Sequence, residues 1–127
     1  MHAINPTIDR RELLDQLVPN PDEYLIITGL AGSARDPAAL SDDGDNLFTM
    51  AGCMGAAVSM GLGTALAAPD RQVLVITGDG ELMMNLGSLA SVATMAPANL
   101  TIICIDNGCN GETGGQTGHT SNRTDLE

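Results

Sequence analysis

The sequence predicts an α/β protein in which a parallel β-sheet is covered by helices on both faces, a three-layer sandwich. Three apolar runs of strand length, Tyr24 to Ile27, Gln72 to Thr77 and Leu100 to Ile105, are separated by segments with helical periodicity. Strands joined by helices of this length form right-handed crossovers and run parallel. Aromatic residues are nearly absent, with one Tyr, one Phe and no Trp. A core of aliphatic residues, Met and Gly suits close packing of helices on a sheet.

The first part of the chain predicts one helix, one strand and one loop. The segment Asp9 to Val18 places four apolar residues on one helical face and ends at Pro19. Tyr24 to Ile27 is then a short buried strand. The segment Arg35 to Asn46 contains four aspartates with Pro and Gly, and this composition predicts a polar loop.

Two further helices are predicted around the second strand. Gly55 to Ala68 is rich in Gly and Ala and stops before a proline, which indicates a helix that its neighbours can approach closely. A glycine inside a helix costs about 1 kcal/mol relative to Ala, so Gly61 and Gly63 each require a packing reason. Glu81 to Ala96 carries Leu and Ala at helical spacing and predicts one continuous helix before Pro97.

The last segment, Gly108 to Glu127, is rich in Gly and Thr and has neither helical nor strand periodicity. Compact domains seldom end in so long a loop, so the segment is either an active-site loop ordered by a ligand or partner, or disordered.

Composition limits the classes of function. A chain of 127 residues with 43% hydrophobic residues is sufficient for one domain, residues 1–127. The net charge of −11 disfavours nucleic acid or an anionic membrane as partner. No apolar run reaches the roughly 20 residues that span a bilayer, and Met1 to Arg11 is polar, so we expect a cytoplasmic protein.

The three cysteines do not indicate a structural disulfide or an iron–sulfur site, since their number is odd and no C-x-x-C spacing occurs. Cys104 lies in an apolar strand and is expected to be a small buried hydrophobe. Cys109 is either a reactive thiol near a cofactor or a residue of which only the backbone matters.

Two strand-ending turns carry the strongest functional signal. Gly78-Asp79-Gly80 follows one apolar strand, and Asp106-Asn107-Gly108 follows the next. Open α/β sheets bind ligands at the carboxyl ends of their strands, and Mg²⁺ prefers oxygen ligands together with phosphates. The sequence therefore predicts a Mg²⁺-diphosphate site. The alternative is that Asp79 is a turn aspartate and that Asn107 favours a left-handed turn before glycine.

This pair of turns resembles the metal-diphosphate motif of thiamine diphosphate enzymes, in which GDG is followed after roughly 25 to 30 residues by NN or a close variant. The resemblance implies a thiamine diphosphate-binding fold. It makes the Asp79 and Asn107 side chains and the main-chain carbonyl of Cys109 ligands of Mg²⁺. The positions it assigns to cofactor binding around the two turns are Gly78, Gly80, Glu81, Asn110 and Gly111. Glu81 is alternatively a helix-start residue favoured by the helix dipole.

Two upstream segments extend the resemblance. Gly52-Cys53-Met54-Gly55 is similar to the family segment in which an apolar side chain supports the bent cofactor and a glycine carbonyl accepts a hydrogen bond from the aminopyrimidine. This assigns Met54 as the wedge and the Gly52 carbonyl as the acceptor, with an ordinary core residue as the alternative for Met54. The loop from Thr28 to Ser33 resembles the family's small polar loop near the cofactor. Its assigned residues are Thr28, Gly29, Gly32 and Ser33.

The stretch Gly111 to Thr120 resembles particular enzymes within this family. It is similar to the region after the metal motif in sulfopyruvate decarboxylase β subunits and phosphonopyruvate decarboxylases, and its TGGQ also occurs in 2-oxoacid:ferredoxin oxidoreductase β subunits. Asp106 replaces the family's first Asn, and Asn110 stands where many relatives have Tyr. Gln116 and His119 are candidates for binding a small anionic 2-oxo acid, or else surface loop residues.

The resemblance implies the diphosphate-binding subunit of a two-chain thiamine diphosphate-dependent 2-oxo acid decarboxylase. The glutamate that activates the cofactor would lie on a pyrimidine-binding, α-type partner, so no catalytic residue is assigned here and a hetero-oligomer is expected. The related subunits continue beyond the position of Glu127, which implies a domain incomplete at its C-terminus. The alternatives are an oxidoreductase β-like subunit and a non-catalytic cofactor-binding module.

Overall fold

A central parallel sheet organises the chain, as predicted. The computed structural model describes residues 8–126. Its main sheet has four parallel strands in the order β2-β1-β3-β4. These strands are β1 (Tyr24–Thr28), β2 (Leu47–Thr49), β3 (Gln72–Gly78) and β4 (Leu100–Ile105). Five consecutive residues of β3 are buried, as expected for a strand covered by helices on both faces.

Helices cover both faces of the sheet and complete the three layers. They are α1 (Arg10–Leu17), α2 (Gly32–Leu40), α3 (Ala57–Ala67), α4 (Asp79–Met84) and α5 (Ser88–Met95). On one face, Leu14 of α1 and Val18 pack with Ile26, Leu74 and Ile76 of the sheet. On the other face, the sheet residues Ile27, Val73 and Val75 pack against α3 and against Leu82 of α4. The predicted α/β sandwich is confirmed.

The prediction of a loop over Arg35 to Asn46 was wrong for its first half, whereas residues 41–46 are turns and irregular backbone, as predicted. Helix α2 occupies the first half of the segment, with Pro37 buried inside the helix, and the short edge strand β2 begins after the turns. Asn46 holds this connection because its side-chain amide donates to the carbonyls of Pro21 and Tyr24, each at 2.9 Å. Packing of α2 on the sheet therefore overrides the turn-like composition.

The single helix predicted over Glu81 to Ala96 is divided in two. Helix α4 starts two residues earlier than predicted, at Asp79, and a turn over residues 85–87 separates it from α5. In this turn the Asn85 side chain donates to the carbonyl of Gly55 at 3.0 Å. The interruption thus connects α4 to the turn that precedes α3.

The two glycines of α3 have different environments. A Cβ on Gly61 would lie 2.1 Å from Val75 Cγ2, so this glycine allows the helix to contact β3 closely. A Cβ on Gly63 would meet no atom within 4 Å. The packing reason expected for both glycines exists only at Gly61.

The segment after β4 is folded into a small hairpin. Strand β5 (Cys109–Asn110) pairs antiparallel with β6 (Gln116–Thr117), and a 3₁₀ turn at Gly111–Thr113 lies between them. Strands of two residues are too short to produce the alternating pattern that would have predicted them. Among residues 8–126, no helix is long and apolar enough to cross a membrane.

Candidate functional site

A pocket of about 220 Å³ opens at the carboxyl ends of β1, β3 and β4. It contains both strand-ending turns of the sequence motif, the start of α2 and part of the hairpin segment. The predicted site residues that line it are Gly32, Ser33, Met54, Gly78, Asp79, Gly80, Glu81, Asn107, Cys109, Asn110 and Gly111. The fold therefore brings together residues separated by about two-thirds of the chain.

Asp79 lies at the base of this pocket as the first residue of α4. It is only 4% exposed, and its Oδ2 accepts a hydrogen bond from the Thr120 hydroxyl at 3.1 Å. The same hydroxyl lies 2.8 Å from Asp106 Oδ1. The hydroxyl has one proton and can donate to only one of these carboxylates at a time, so Thr120 lies between two acidic groups that are close together. Sequence reasoning gave neither Thr120 nor Asp106 a role in the site.

The second turn is shaped by its own side chains. Asn107 Oδ1 accepts from the Cys109 N–H at 3.1 Å, and Asp106 Oδ1 accepts from the Gly108 N–H at 2.8 Å. Gly108 has φ +66°, the left-handed conformation that glycine adopts without strain. The turn role considered for Asn107 is therefore present in the structure, and its side-chain oxygen faces the backbone of Cys109.

The donor set fits a hard cation that also binds phosphate. The pocket offers the carboxylate of Asp79, the amide of Asn107 and the backbone of Cys109. In the described part of the chain, no group of three or more His, Cys, Asp or Glu side chains could hold a metal by itself. Mg²⁺ commonly takes one or two carboxylates and completes its shell with phosphate oxygens and water, so these residues suit a metal-diphosphate group.

Glu81 has a larger structural role than a helix-start residue. It is 4% exposed, and its Oε2 accepts from the Leu30 N–H at 3.0 Å, which ties α4 to the loop after β1. Its Oε1 has no hydrogen-bond partner among the described residues. A Cβ on Gly29 would lie 1.7 Å from Oε2, so Gly29 makes room for this carboxylate. An unpartnered buried oxygen in the pocket wall is consistent with a missing polar ligand.

Close backbone approaches hold the hairpin segment against the site. The Gly118 N–H donates to the Gly108 carbonyl at 2.6 Å, and a Cβ on Gly118 would lie 3.2 Å from Asp79 Oδ2. A Cβ on Gly80 would lie 2.7 Å from Asn110 Oδ1. Side chains at these two glycines would push the segment away from Asp79.

Five predicted site residues do not line the pocket. Thr28 is fully buried, and its hydroxyl lies 3.3 Å from that of Thr49. Gly29 lies behind Glu81, and Gly52 is exposed with no contact around its Cβ position. Gln116 and His119 are exposed on the hairpin segment, where the Gln116 side chain bonds to Thr113.

Met54 faces the pocket and is 41% exposed, so it is not an ordinary core residue. Its turn is fixed by Asn85, which donates to the carbonyl of the next residue, Gly55. Gly55 has φ +84° and leaves only 3.1 Å between its Cβ position and Asn85 Cβ. A glycine at residue 55 thus presents the methionine to the pocket.

Several pocket residues escaped sequence analysis. Arg10, Arg35 and Glu112 also line the pocket, and Arg35 pairs with Glu112. These residues belong to α1, α2 and the hairpin segment, and no motif spacing connects them. Only their charge, in an acidic chain with five cationic side chains, could have drawn attention to the arginines.

The three cysteines differ in accessibility. Burial, together with the nearby carboxylates of Asp79 and Asp106, raises the pKa of the Cys104 thiol from 9.0 to about 11. Cys104 packs against the core as its strand predicts, but it is partly and not fully buried. Cys53 is exposed, and Cys109 is partly buried in the pocket wall.

Comparison with known proteins identifies a family to which this chain is similar. Residues 34–127 match the model of the thiamine pyrophosphate enzyme C-terminal TPP binding domain. The chain is 41% identical over 118 residues to the sulfopyruvate decarboxylase subunit beta of Methanocaldococcus jannaschii, covering 93% of this chain and 62% of that protein. It is 43% identical over 115 residues to the phosphonopyruvate decarboxylase of Streptomyces viridochromogenes, covering 90% of this chain and 28% of that protein.

A solved structure is also similar. The 2-oxoglutarate:ferredoxin oxidoreductase from Magnetococcus marinus superposes with a TM-score of 0.62 at 26% identity, over 85% of this chain and 38% of that chain. The chain thus spans less than two-thirds of the length of each of these three proteins. The match over residues 34–127 contains both strand-ending turns of the pocket, and on this basis the chain belongs to the thiamine pyrophosphate enzymes, within their C-terminal TPP-binding domain family.

Proposed function

We propose that the chain is the diphosphate-binding subunit of a two-chain thiamine diphosphate-dependent decarboxylase that acts on a 2-oxo acid of the sulfopyruvate or phosphonopyruvate type. One observation carries this proposal: Asp79, Asn107 and Cys109, the residues that the family motif assigns to the metal, line one pocket at the carboxyl edge of the sheet. The decarboxylase names of two relatives, at 41% and 43% identity, support the reaction class.

The residues of the pocket have distinct proposed roles. Asp79, Asn107 and the Cys109 carbonyl hold Mg²⁺, and the glycines on either side of Asp79 allow the diphosphate to approach the backbone. Met54 supports the cofactor, with the Gly52 carbonyl as acceptor for its aminopyrimidine. When bound, the cofactor supplies the electron sink that decarboxylation of a 2-oxo acid requires.

The proposal includes a partner. The relative from Methanocaldococcus jannaschii is named a beta subunit, which supports assembly with a second chain that contributes the pyrimidine-binding half. We assign no residue of this chain to activation of the cofactor, because the family's activating glutamate belongs to that other half. Gln116 and His119, although outside the pocket, could reach substrate only if the partner or ligand rearranges the hairpin segment. A cytoplasmic location is part of the same proposal.

Metal-dependent cofactor binding tests the site directly. Asp79→Ala should abolish Mg²⁺-dependent binding of thiamine diphosphate, measured by isothermal titration calorimetry, because it removes the buried carboxylate ligand. Asp70→Ala is the matched control, since Asp70 is exposed and lies just before β3, at the end of the strand away from the pocket. Thermal unfolding should show that both variants are folded. Unchanged affinity in folded Asp79→Ala would reject the metal assignment.

Activity tests the reaction and the need for a partner. The purified chain with thiamine diphosphate and Mg²⁺ should release no CO₂ from sulfopyruvate or phosphonopyruvate, and addition of a pyrimidine-binding subunit should start the reaction. CO₂ release by the chain alone would contradict the two-chain proposal. Cofactor binding without turnover, whatever partner is added, would favour a non-catalytic module.

An oxidoreductase β-like subunit is the second candidate. The similarity to the ferredoxin oxidoreductase from Magnetococcus marinus favours it. Against it, the chain's three cysteines have no spacing that would bind an iron–sulfur cluster, so electrons would need clusters on other chains. Reduction of ferredoxin in the presence of coenzyme A and a 2-oxo acid would identify this function, and CO₂ release without reduction would exclude it.

A further inference from the structure

Positive charge is scarce in this chain, and two of its five cationic side chains line the pocket together with Asp79, Glu81 and Glu112. All five cationic side chains are arginines, against sixteen acidic residues. Two of them, Arg10 and Arg35, line the pocket, and Arg11 is adjacent in sequence. An acidic protein repels anionic ligands at long range, so a local excess of arginine at one wall is the feature that could retain one.

Arg10 and Arg11 create that local excess. Arg10 Nε donates to Asp36 Oδ2, and Arg11 Nε lies 3.9 Å from the other oxygen of the same carboxylate. Two guanidinium groups therefore share one carboxylate, so the group formed by Arg10, Arg11 and Asp36 has one net positive charge, although Arg11 itself is exposed and does not line the pocket. The Asp36 side chain is only 13% exposed, so solvent screens this group incompletely.

The guanidinium of Arg10 is placed by a glycine. A Cβ on Gly32 would lie 2.6 Å from Arg10 Cζ and 2.8 Å from Nη2, so the guanidinium rests on the bare backbone at the start of α2. The two terminal nitrogens of Arg10 have no acceptor among the described residues, and neither do the N–H groups of Gly32 and Ser33. A guanidinium with free terminal nitrogens can bind a sulfonate, phosphonate or carboxylate through two parallel hydrogen bonds.

Arg35 is less suited to this role. Its Nη2 is paired with Glu112, and its side chain is 70% exposed at the rim. An exposed ion pair of this kind is screened by solvent and contributes little. The half-buried Arg10, with its charge only partly compensated, is the better anion-binding group.

We propose that Arg10 binds the second anionic group of the 2-oxo acid substrate, the sulfonate or phosphonate, and so determines substrate specificity. The proposal rests on the decarboxylase function proposed above and adds the residue that selects the substrate. It replaces Gln116 and His119 as the substrate-binding residues of this chain, since both lie outside the pocket.

The test uses the complex with the pyrimidine-binding subunit. Arg10→Gln should raise the KM for sulfopyruvate about 30-fold, as expected for loss of a charged, two-point hydrogen bond, while kcat changes less than about 3-fold. Arg10→Lys retains the positive charge but cannot donate two parallel hydrogen bonds, so this variant should have an intermediate KM. Arg71→Gln is the control. It removes a charge just before β3, at the end of the strand away from the pocket, and should leave the KM unchanged.

A second variant keeps the arginine but moves it. Gly32→Ala should displace the guanidinium, because its Cβ would overlap Arg10, and should also raise the KM. Gly32 has no positive φ, so alanine fits the helix backbone and the variant should fold. This result would show that the position of the guanidinium matters in addition to its charge.

The outcomes separate this inference from the proposed function. An active wild-type complex whose KM is unchanged by Arg10→Gln and Gly32→Ala would overturn the inference alone. Loss of thiamine diphosphate affinity in Arg10→Gln, measured by calorimetry, with an unchanged KM would place Arg10 at the cofactor and overturn it too. A wild-type complex that decarboxylates neither acid would reject the proposed function and this inference with it.

Discussion

Replacement of Gly29 by alanine should disrupt the connection between α4 and the loop after β1. The added Cβ would lie 1.7 Å from Glu81 Oε2 and 2.5 Å from Cδ, so the buried carboxylate must move. Its hydrogen bond from the Leu30 N–H is then lost. Gly29 has no positive φ, so alanine causes no backbone strain and the steric contact accounts for the effect.

The expected magnitude follows from the hydrogen bond and the buried charge. A hydrogen bond to a charged group contributes about 1.5–3 kcal/mol, so Gly29→Ala should lower the free energy of unfolding by about 2–3 kcal/mol. Glu81→Ala removes the same bond but also removes the unpartnered Oε1, so its cost should be about 1 kcal/mol or less. In the variant that carries both substitutions, Gly29→Ala should cause almost no further decrease in the free energy of unfolding.

Urea unfolding of the wild-type chain, the two single variants and the double variant measures this coupling as a double-mutant cycle. We expect a coupling free energy of about 2 kcal/mol between residues 29 and 81. If Gly29→Ala destabilises the chain equally with and without Glu81, the steric explanation is wrong and the glycine has another role.

Two further predictions concern packing and thiol chemistry. Gly61→Ala should destabilise the chain by about 1–3 kcal/mol because its Cβ overlaps Val75, whereas Gly63→Ala, two residues away with open space, should stabilise it by up to about 1 kcal/mol in urea unfolding; equal effects at the two sites would contradict this. At pH 8, native Cys104 should be alkylated about 100-fold more slowly than in the urea-unfolded chain, because its pKa rises from 9.0 to about 11 and less thiolate forms, while exposed Cys53 reacts readily in both states. Mass spectrometry of labelled peptides measures both rates, and similar native rates would disprove the assignment.

The sequence predicted the parts of the fold that depend on continuous apolar patterns. The buried strand β3 reads as an uninterrupted apolar run, and the glycine and aspartate after it mark the strand end where ligands bind. Family membership and the fold class are confirmed, and most residues assigned to the cofactor or the metal line one pocket. Their binding roles stay predictions.

Features that depend on distant contacts were missed. Helix α2 was not predicted because Pro37 and the nearby aspartates have low helix propensity. The helix is stabilised by packing on the sheet, which local composition does not show. The break after α4 is determined by the Asn85 hydrogen bond to Gly55, thirty residues earlier in the chain. Arg10 reaches the pocket only because α1 packs beside α2, an arrangement that no local pattern encodes.

The interruption between α4 and α5 connects two pocket residues that are distant in the sequence, Asp79 and Met54. Asp79 begins α4, and Asn85, in the turn directly after it, holds the carbonyl of Gly55 beside Met54. Six residues of covalent helix, closed by one side-chain hydrogen bond, thus join the motif to the methionine turn without passing through the sheet. A ligand long enough to reach from Asp79 to Met54 would therefore contact two parts of the chain that this helix and hydrogen bond connect directly.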